Sequence, residues 1–160
     1  MLNRASLVVV AVTVGLTASA SGSGTAFDSC GNGAVSLENT VGVEAFAGVF
    51  FSTETSGVDD LRLIDAHMDH VDDGLVVDGI HAVPLRTGFI GSSRSVIEAN
   101  LHPLSDFRLT NPPTWYLLIV YHAERPGPVG ASDLALRYRT DGEVYELVCP
   151  GEIGVTTPTH

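Results

Sequence analysis

A short acidic stretch of the chain combines carboxylates and histidines at a spacing that could hold a metal ion. Residues two apart on a β-strand project from the same face, about 6.6 Å apart along it, so Asp65, His67 and Asp69 would point the same way. Asp78 or His81 on a neighbouring strand could complete the set. Because histidine nitrogens and carboxylate oxygens are ordinary zinc ligands, one hypothesis is a zinc or copper site in this stretch.

The same stretch also fits a solvent-exposed sheet face that binds nothing. Residues 54–78 contain eight acidic residues and one arginine, and charge-rich exposed faces are common in soluble proteins. The spacing from Asp69 to Gly74 also differs from that of a calcium-binding loop. We favour the solvated face and therefore predict no cofactor, with metal binding as the alternative.

The residue sets of the commoner catalytic chemistries are incomplete in the sequence. His122 and Glu124 would share a strand face, but such a pair is more typical of a polar strand end than of a catalytic acid and base. The serines of 91–95 lack the Gly-x-Ser-x-Gly elbow of serine hydrolases. The glycine-rich stretches lack the known phosphate-binding patterns. The sequence therefore predicts a protein that is not an enzyme.

The first twenty residues are typical of an export signal. Arg4 precedes an apolar run, and Ala18-Ser19-Ala20 forms the small-x-small pattern of a signal-peptidase site. The run is shorter than the ~20 residues that span a bilayer, so we expect cleavage and no stable membrane anchor afterwards. These features predict a secreted protein, located in the extracellular space or the cell envelope.

The two cysteines of the chain, Cys30 and Cys149, are expected to form a disulfide. An exported protein meets an oxidising environment, where such bonds persist. The bond would close a loop of about 120 residues and stabilise the fold by about 4 to 5 kcal/mol in the chain-entropy model. It would attach the start of the mature chain to a strand near its other end.

The charge of the chain restricts its partners. The formal net charge is −11 at pH 7, from 19 acidic and 8 basic residues. Loss of Arg4 with the signal peptide leaves 7 basic residues and a net charge of −12, since 7 − 19 = −12. Binding to nucleic acid and to anionic lipid depends on lysine and arginine. We therefore exclude nucleic acid and expect an unidentified protein or envelope partner.

The clearest structural signal is a β-hairpin with a two-residue turn. Asp141-Gly142 separates the alternating segments 134–140 and 143–149, and Asp-Gly favours a type I′ turn, in which both central residues have positive φ. Counting outward from the turn places Tyr138 opposite Tyr145 and Leu134 opposite Cys149 on the core face, and Arg137 opposite Glu146 on the wetter face as a charge pair.

Several other segments have strand patterns. Residues 115–122 are apolar at nearly every position, as expected for a central strand covered on both faces, and residues 41–51 alternate. Residues 61–70 and 75–83 form a second candidate hairpin through the acidic turn at 72–74. Since no helical periodicity is sustained after the signal, the sequence predicts an all-β, antiparallel sandwich of immunoglobulin-like layout.

These observations divide the chain into four parts. We expect a signal peptide at 1–20, a flexible N-terminal segment at 21–33, the β-sandwich at 34–150 and a disordered tail at 151–160.

The order of these elements resembles a group of exported bacterial proteins. The resemblance is carried by Asp60-Leu61-Arg62-Leu63-Ile64, Gly74-Leu75-Val76-Val77, Tyr116-Leu117-Leu118-Ile119-Val120, the segment 136–145 and Cys149. Across roughly residues 41–149, the chain is similar to uncharacterised small exported proteins of Gram-positive bacteria with an immunoglobulin-like sandwich. This resemblance implies a fold and an exported location, and it implies no particular activity.

A fainter likeness in strand order is to the periplasmic copper chaperones with a cupredoxin-like sandwich. Those proteins use a His/Met ligand set, from which this sequence departs. Met68 is the only methionine after the signal, and Leu118-Ile119-Val120 stands where a His-x-Met would be needed. The departure argues against copper handling. The favoured interpretation is an exported, non-enzymatic β-sandwich that binds a partner or serves as a structural module.

Overall fold

The computed structural model describes residues 29–31, 33–52, 60–84, 98, 100–110 and 115–159. The predicted signal peptide at 1–20 and residues 21–28 of the expected flexible segment lie outside these ranges. No helix within them is long and apolar enough to cross a membrane.

Ten β-strands account for most of the described residues. They are β1 (Ser29–Gly31), β2 (Gly33–Glu38), β3 (Ala45–Ser52), β4 (Arg62–Val71), β5 (Leu75–Pro84), β6 (His102–Pro103), β7 (Phe107–Arg108), β8 (Trp115–Ala123), β9 (Gly127–Thr140) and β10 (Glu143–Thr157). Sheet A has the order β1-β3-β8-β5-β6, and sheet B has the order β2-β10-β9-β4-β7. All pairings are antiparallel except that of β2 with β10. The predicted all-β fold is confirmed, and its two sheets are consistent with a sandwich. The prediction of purely antiparallel pairing is wrong for β2 and β10.

The hairpin of β9 and β10 has the register that the sequence predicts. Thr140 pairs with Glu143, and the ladder runs back to Leu134 opposite Cys149. Asp141 has φ = 50° and Gly142 has φ = 80°, which are the two positive angles that a type I′ turn requires. Local turn chemistry and side-chain alternation therefore specify this part of sheet B.

The core lies between the two sheets. Sheet B contributes inward-facing residues of β9 and β10, and sheet A contributes those of β8. The largest side chains with 2% exposure or less include Leu63, Leu117, Ile119, Tyr121, Leu136, Tyr138 and Val155. Burying one such aliphatic side chain stabilises the fold by about 1.5 to 3 kcal/mol.

Strand β8 is the central strand of sheet A, between β3 and β5, as its apolar sequence predicts. Its inward residues join the main core, and its outward residues are also buried. Outward-facing Tyr116 and Leu118 form a second cluster with Val83, against which Phe46 and Leu101 pack. An unbroken apolar run is stable here because both faces of the strand are covered.

The second candidate hairpin is wrong, because β4 and β5 lie in different sheets. Strand β4 pairs with β9, and β5 pairs with β8. The turn between them is held from both sides. The Asp72 carboxylate accepts a hydrogen bond from the Gly130 N–H (2.8 Å), whereas the Gly74 carbonyl accepts one from the Glu124 N–H (2.8 Å). The 72–74 turn therefore crosses between the sheets.

The expected disordered tail is wrong for residues 151–157, which extend β10. Ile153 and Val155 are each 2% exposed. This part of β10 pairs with β9 on one side and with β2 on the other, so its backbone groups are satisfied within sheet B. Burial and strand pairing therefore give a regular structure to a segment that the sequence predicts to be disordered.

Two N-terminal boundaries also differ from the expectation. Ser29–Gly31 forms β1 and pairs with β3, and Gly33 begins β2, so these residues are not a flexible segment. Strand β3 begins at Ala45, whereas Val41 and Val43 are 40% and 48% exposed in the preceding loop. The alternation of 41–51 thus extends beyond the strand that it marks.

The disulfide between Cys30 and Cys149 is confirmed. It joins β1 of sheet A to β10 of sheet B, with 5.2 Å between the two Cα atoms. The bond therefore links the two sheets covalently.

We expect Gly142→Val to lower the free energy of unfolding by about 1 to 3 kcal/mol, since valine is strained at positive φ. A Cβ at this position would meet no atom within 4 Å, so the loss would come from the backbone conformation. Urea titration measures the change. The control is Arg137→Ala, which removes an exposed ion pair and should cost at most about 1 kcal/mol. Equal midpoints for both variants would contradict the turn conformation.

We expect Tyr121→Phe to raise the free energy of unfolding by about 1 kcal/mol, because the Tyr121 hydroxyl is buried without a hydrogen-bond partner among the described residues. Burial raises the pKa of Tyr121 to about 12. The folded pKa exceeds that of the unfolded phenol, which is near 10. The part of the wild-type stability that is linked to protonation of Tyr121 is therefore fully present below pH 10 and is lost as the pH rises through 12.

The alkaline loss should be smaller in Tyr121→Phe. It should not vanish, because burial also raises the pKa of Tyr116 to about 12. The control is Leu117→Ala on the same strand, which should destabilise by about 2 to 5 kcal/mol through the cavity that it leaves. Denaturant titrations at neutral pH and near pH 11 test both effects. A Tyr121→Phe protein that is clearly less stable than wild type would show that the hydroxyl has a stabilising contact.

Candidate functional site

Three of the predicted metal ligands share the outer face of β4. The inward positions of this strand are taken by Leu63 and Met68, which pack in the core. A β-bulge between Leu63 and Asp65 shifts the two-residue period, so Asp65, His67 and Asp69 point outward although Leu63 points inward. The structure therefore brings these three residues to one face.

Their contacts are pairwise. The Arg137 guanidinium donates a hydrogen bond to the Asp65 carboxylate at 2.8 Å. The His67 Nε2 atom lies 3.3 Å from the Asp69 carboxylate. Arg137 stands opposite Glu146 in the ladder, as the sequence predicts, but its ion pair is with the neighbouring β4 strand. Asp65 therefore serves as the counter-ion of an arginine.

The fourth predicted ligand, Asp78, is separated from the others, because it belongs to β5 in sheet A. Its carboxylate lies 2.7 Å from Nδ1 of His122 on β8, at a β-bulge between Val77 and Gly79. This pair is half-buried. His122 is thus matched with a residue 44 positions away, and not with Glu124, because the ladder of β5 and β8 sets the contact.

Among the residues that the structure describes, no group of three or more histidine, cysteine or acidic side chains is close enough to hold a metal ion. The four predicted ligands are divided between two sheets. His81, the other candidate, lies on the outer side of sheet A opposite Leu118, where burial lowers its pKa. These residues are apart because β4 and β5, which the sequence predicts as one hairpin, lie in different sheets.

The outer face of sheet B is a broad exposed surface with apolar and charged rows. Strand pairing aligns three rows across β10, β9 and β4, namely Val144-Arg139-Arg62, Glu146-Arg137-Asp65 and Val148-Ala135-His67. Val144 and Val148 are 51% and 45% exposed, in contrast to the buried valines of the core. Half of the eight basic residues of the chain lie on or beside this face, at 62, 108, 137 and 139.

An ion-pair network fixes the arginines at one end of this face. Arg62 contacts Asp60 at 3.1 Å and Asp106 at 2.9 Å, and Arg139 reaches Asp106 at 3.5 Å. Arg108 on β7 pairs with Arg62 on β4 in the ladder, and its side chain lies 3.6 Å from Asp60. The hydrogen bond with Asp60 and the nearby charge of Asp106 raise the pKa of Arg62. The carboxylates of Asp60 and Asp106 therefore lie among three arginines that are neighbours across the sheet.

The other end of the face contains a shallow groove of about 240 Å³. It is lined by His70, Asp72, Gly130, Ala131, Ser132, Glu152 and Ile153. The Asp72 carboxylate is committed to the Gly130 N–H, and His70 lies 4.0 Å from Asp133. Asp72 therefore secures the end of β4 to β9.

Comparison with known proteins assigns no family to this chain. No protein-family model matches the sequence, and a search of curated proteins gives no match. Function must therefore be argued from the surface itself.

We expect a hundredfold molar excess of zinc over protein to leave the melting temperature unchanged, because Asp78 is separated from Asp65, His67 and Asp69. Binding at a hundredfold excess over Kd would add about 2.7 kcal/mol and raise the melting temperature by several degrees in a domain of this size. Thermal unfolding with and without zinc measures this, using protein without a histidine tag. A rise that disappears in His67→Ala but persists in the control His122→Ala would establish a metal site on β4.

Proposed function

We propose that this protein is an exported, non-enzymatic β-sandwich of immunoglobulin-like layout that binds a protein partner outside the cytoplasm or in the cell envelope. Support for export comes from the predicted signal peptide and from the Cys30–Cys149 disulfide, which suits an oxidising compartment. The resemblance to small exported sandwich proteins of Gram-positive bacteria points the same way. Metal binding through the acidic segment 65–81 is the alternative, and the zinc titration tests it.

The outer face of sheet B is the observation that carries the proposal. Exposed Val144 and Val148 alternate with charged residues on β10, and arginines of β9 lie beside them. Protein interfaces combine apolar contact area with arginine anchors. This part of β10 is held in place, because it pairs with β9 along 143–149 and is attached to sheet A by the disulfide at Cys149. A preorganised surface loses little conformational entropy on binding.

We expect the double variant Val144→Glu and Val148→Glu to lose capture of the partner, because it adds two desolvation costs and like charges to the interface. The immobilised mature protein would be exposed to the extracellular and envelope fractions of its source, with bound proteins quantified by mass spectrometry. The control is Val43→Glu, a 48% exposed valine in the β2–β3 loop, away from this face. All variants should melt like wild type.

Two results would contradict the proposal. Equal capture by the double variant and by Val43→Glu would show that the outer face of sheet B is not the binding surface. If wild type captures no protein above a blank support, the binding function itself is wrong.

A further inference from the structure

The four edges of the two sheets differ in how they are protected. At an edge, unpaired backbone N–H and C=O groups can pair with another strand, and natural proteins limit this with short strands, proline or charge. Edge strand β1 has three residues, and β6 and β7 have two each. Strand β6 also contains Pro103, and β7 ends in Arg108, which is ion-paired. These three terminal strands therefore offer few residues for pairing.

Strand β2 lacks these protections. It has six residues, Gly33–Glu38, without proline, lysine or arginine. It pairs with β10 in an unbroken parallel register from Gly33 to Glu38, so no bulge turns its edge away. Val35 is buried and Leu37 is half-buried on the core side, whereas Ala34, Ser36 and Glu38 are exposed. Among the terminal strands of the two sheets that the structure describes, β2 is the longest.

The direction of its backbone groups follows from one hydrogen bond. The Asn39 N–H, directly after β2, donates to the Thr156 carbonyl of β10 at 3.1 Å. Successive residues of a strand direct their N–H and C=O groups to opposite sides. Leu37 and Val35 therefore face β10, as Asn39 does, and the groups of Ala34, Ser36 and Glu38 face the open side.

We propose that this open edge of β2 receives an extended segment of a protein partner whose side chains alternate between apolar and cationic. This proposal rests on the proposed binding function and specifies the kind of partner. Pairing with Ala34, Ser36 and Glu38 would add a sixth strand to sheet B by β-augmentation. The apolar side chains of the added strand would continue the core side beside Val35 and Leu37.

The charge of the edge selects the outward side chains of the partner. Glu38 points outward on β2, and Glu152 of β10 lies opposite Ala34 on the same face. Neither β2 nor β10 contains a lysine or arginine. Long cationic side chains on the added strand would reach these carboxylates. A second copy is disfavoured as the occupant, because each chain has a net charge of −11.

The test uses synthetic peptides of about eight residues, the length of an ordinary strand. One peptide alternates valine and lysine, a second has glutamate in place of lysine, and a third has the lysine pattern with a central proline. Fluorescence anisotropy measures binding, and amide hydrogen exchange by NMR locates it. We expect the lysine peptide to bind, and the other two to bind about tenfold more weakly, which corresponds to 1.4 kcal/mol.

The exchange pattern is the more specific readout. Bound lysine peptide should slow exchange of the Ala34, Ser36 and Glu38 amides, which face the open side. The amides of Val35 and Leu37, which face β10, should change little. Binding without protection of the three outward amides would mean general electrostatic attraction and would overturn the proposal.

Variants of β2 provide an independent check. Ser36→Pro removes the N–H at the centre of the open edge, where proline is tolerated because β10 does not use that group. It should weaken the lysine peptide about tenfold, which corresponds to 1.4 kcal/mol, whereas Ser36→Ala should bind like wild type. If Ser36→Pro fails to fold, the pair Glu38→Lys and Glu152→Lys tests the charge, because it should reverse the preference between lysine and glutamate peptides.

Three further outcomes separate this proposal from its alternatives. A concentration-dependent dimer in analytical ultracentrifugation that Ser36→Pro abolishes would identify a second copy as the occupant and overturn the proposal. Partner capture that depends on Val144 and Val148 but is unaffected by Ser36→Pro would overturn it while leaving the binding function intact. If the wild-type protein captures no partner at all, the proposed binding function itself is wrong.

Discussion

Strand β10 is the element on which the rest of the structure depends. Its ladder with β9 is set by the positive φ angles of Asp141 and Gly142, and its register carries through to Leu134 opposite Cys149. The same strand bonds to β2 along its other edge and carries one half of the disulfide to sheet A. Both sheets are therefore positioned relative to one backbone segment. Its outward side chains then present the face that we propose for binding.

The sequence predicts the parts of this fold that local chemistry determines. The Asp-Gly turn and the alternation beside it specify the hairpin register pair by pair, because a one-residue slip would turn every core side chain toward solvent. The apolar run at 115–122 likewise indicates a strand with both faces covered. These signals are complete within a short window, so neither depends on knowing which distant strand lies alongside.

The errors arise where the choice of partner strand is non-local. The acidic turn at 72–74 has the composition of a hairpin turn, yet its hydrogen bonds to Gly130 and Glu124 attach its two ends to different sheets. Asp78 is separated from the other metal candidates for the same reason. Pro150-Gly151 resembles a strand terminator, but the ladder absorbs it as a register shift between Cys149 and Glu152. The parallel pairing with β2 has no local signature.

That parallel pairing also constrains when sheet B can form. Residues 33–38 find their neighbour at 151–156, more than a hundred positions along the chain, and the disulfide joins residues 119 apart. Folding dominated by such distant contacts is slow, since loop closure precedes the contacts that reward it. Until residues 151–156 are available, Val35 and Leu37 lack the strand that pairs beside them, and apolar residues exposed in this way favour aggregation.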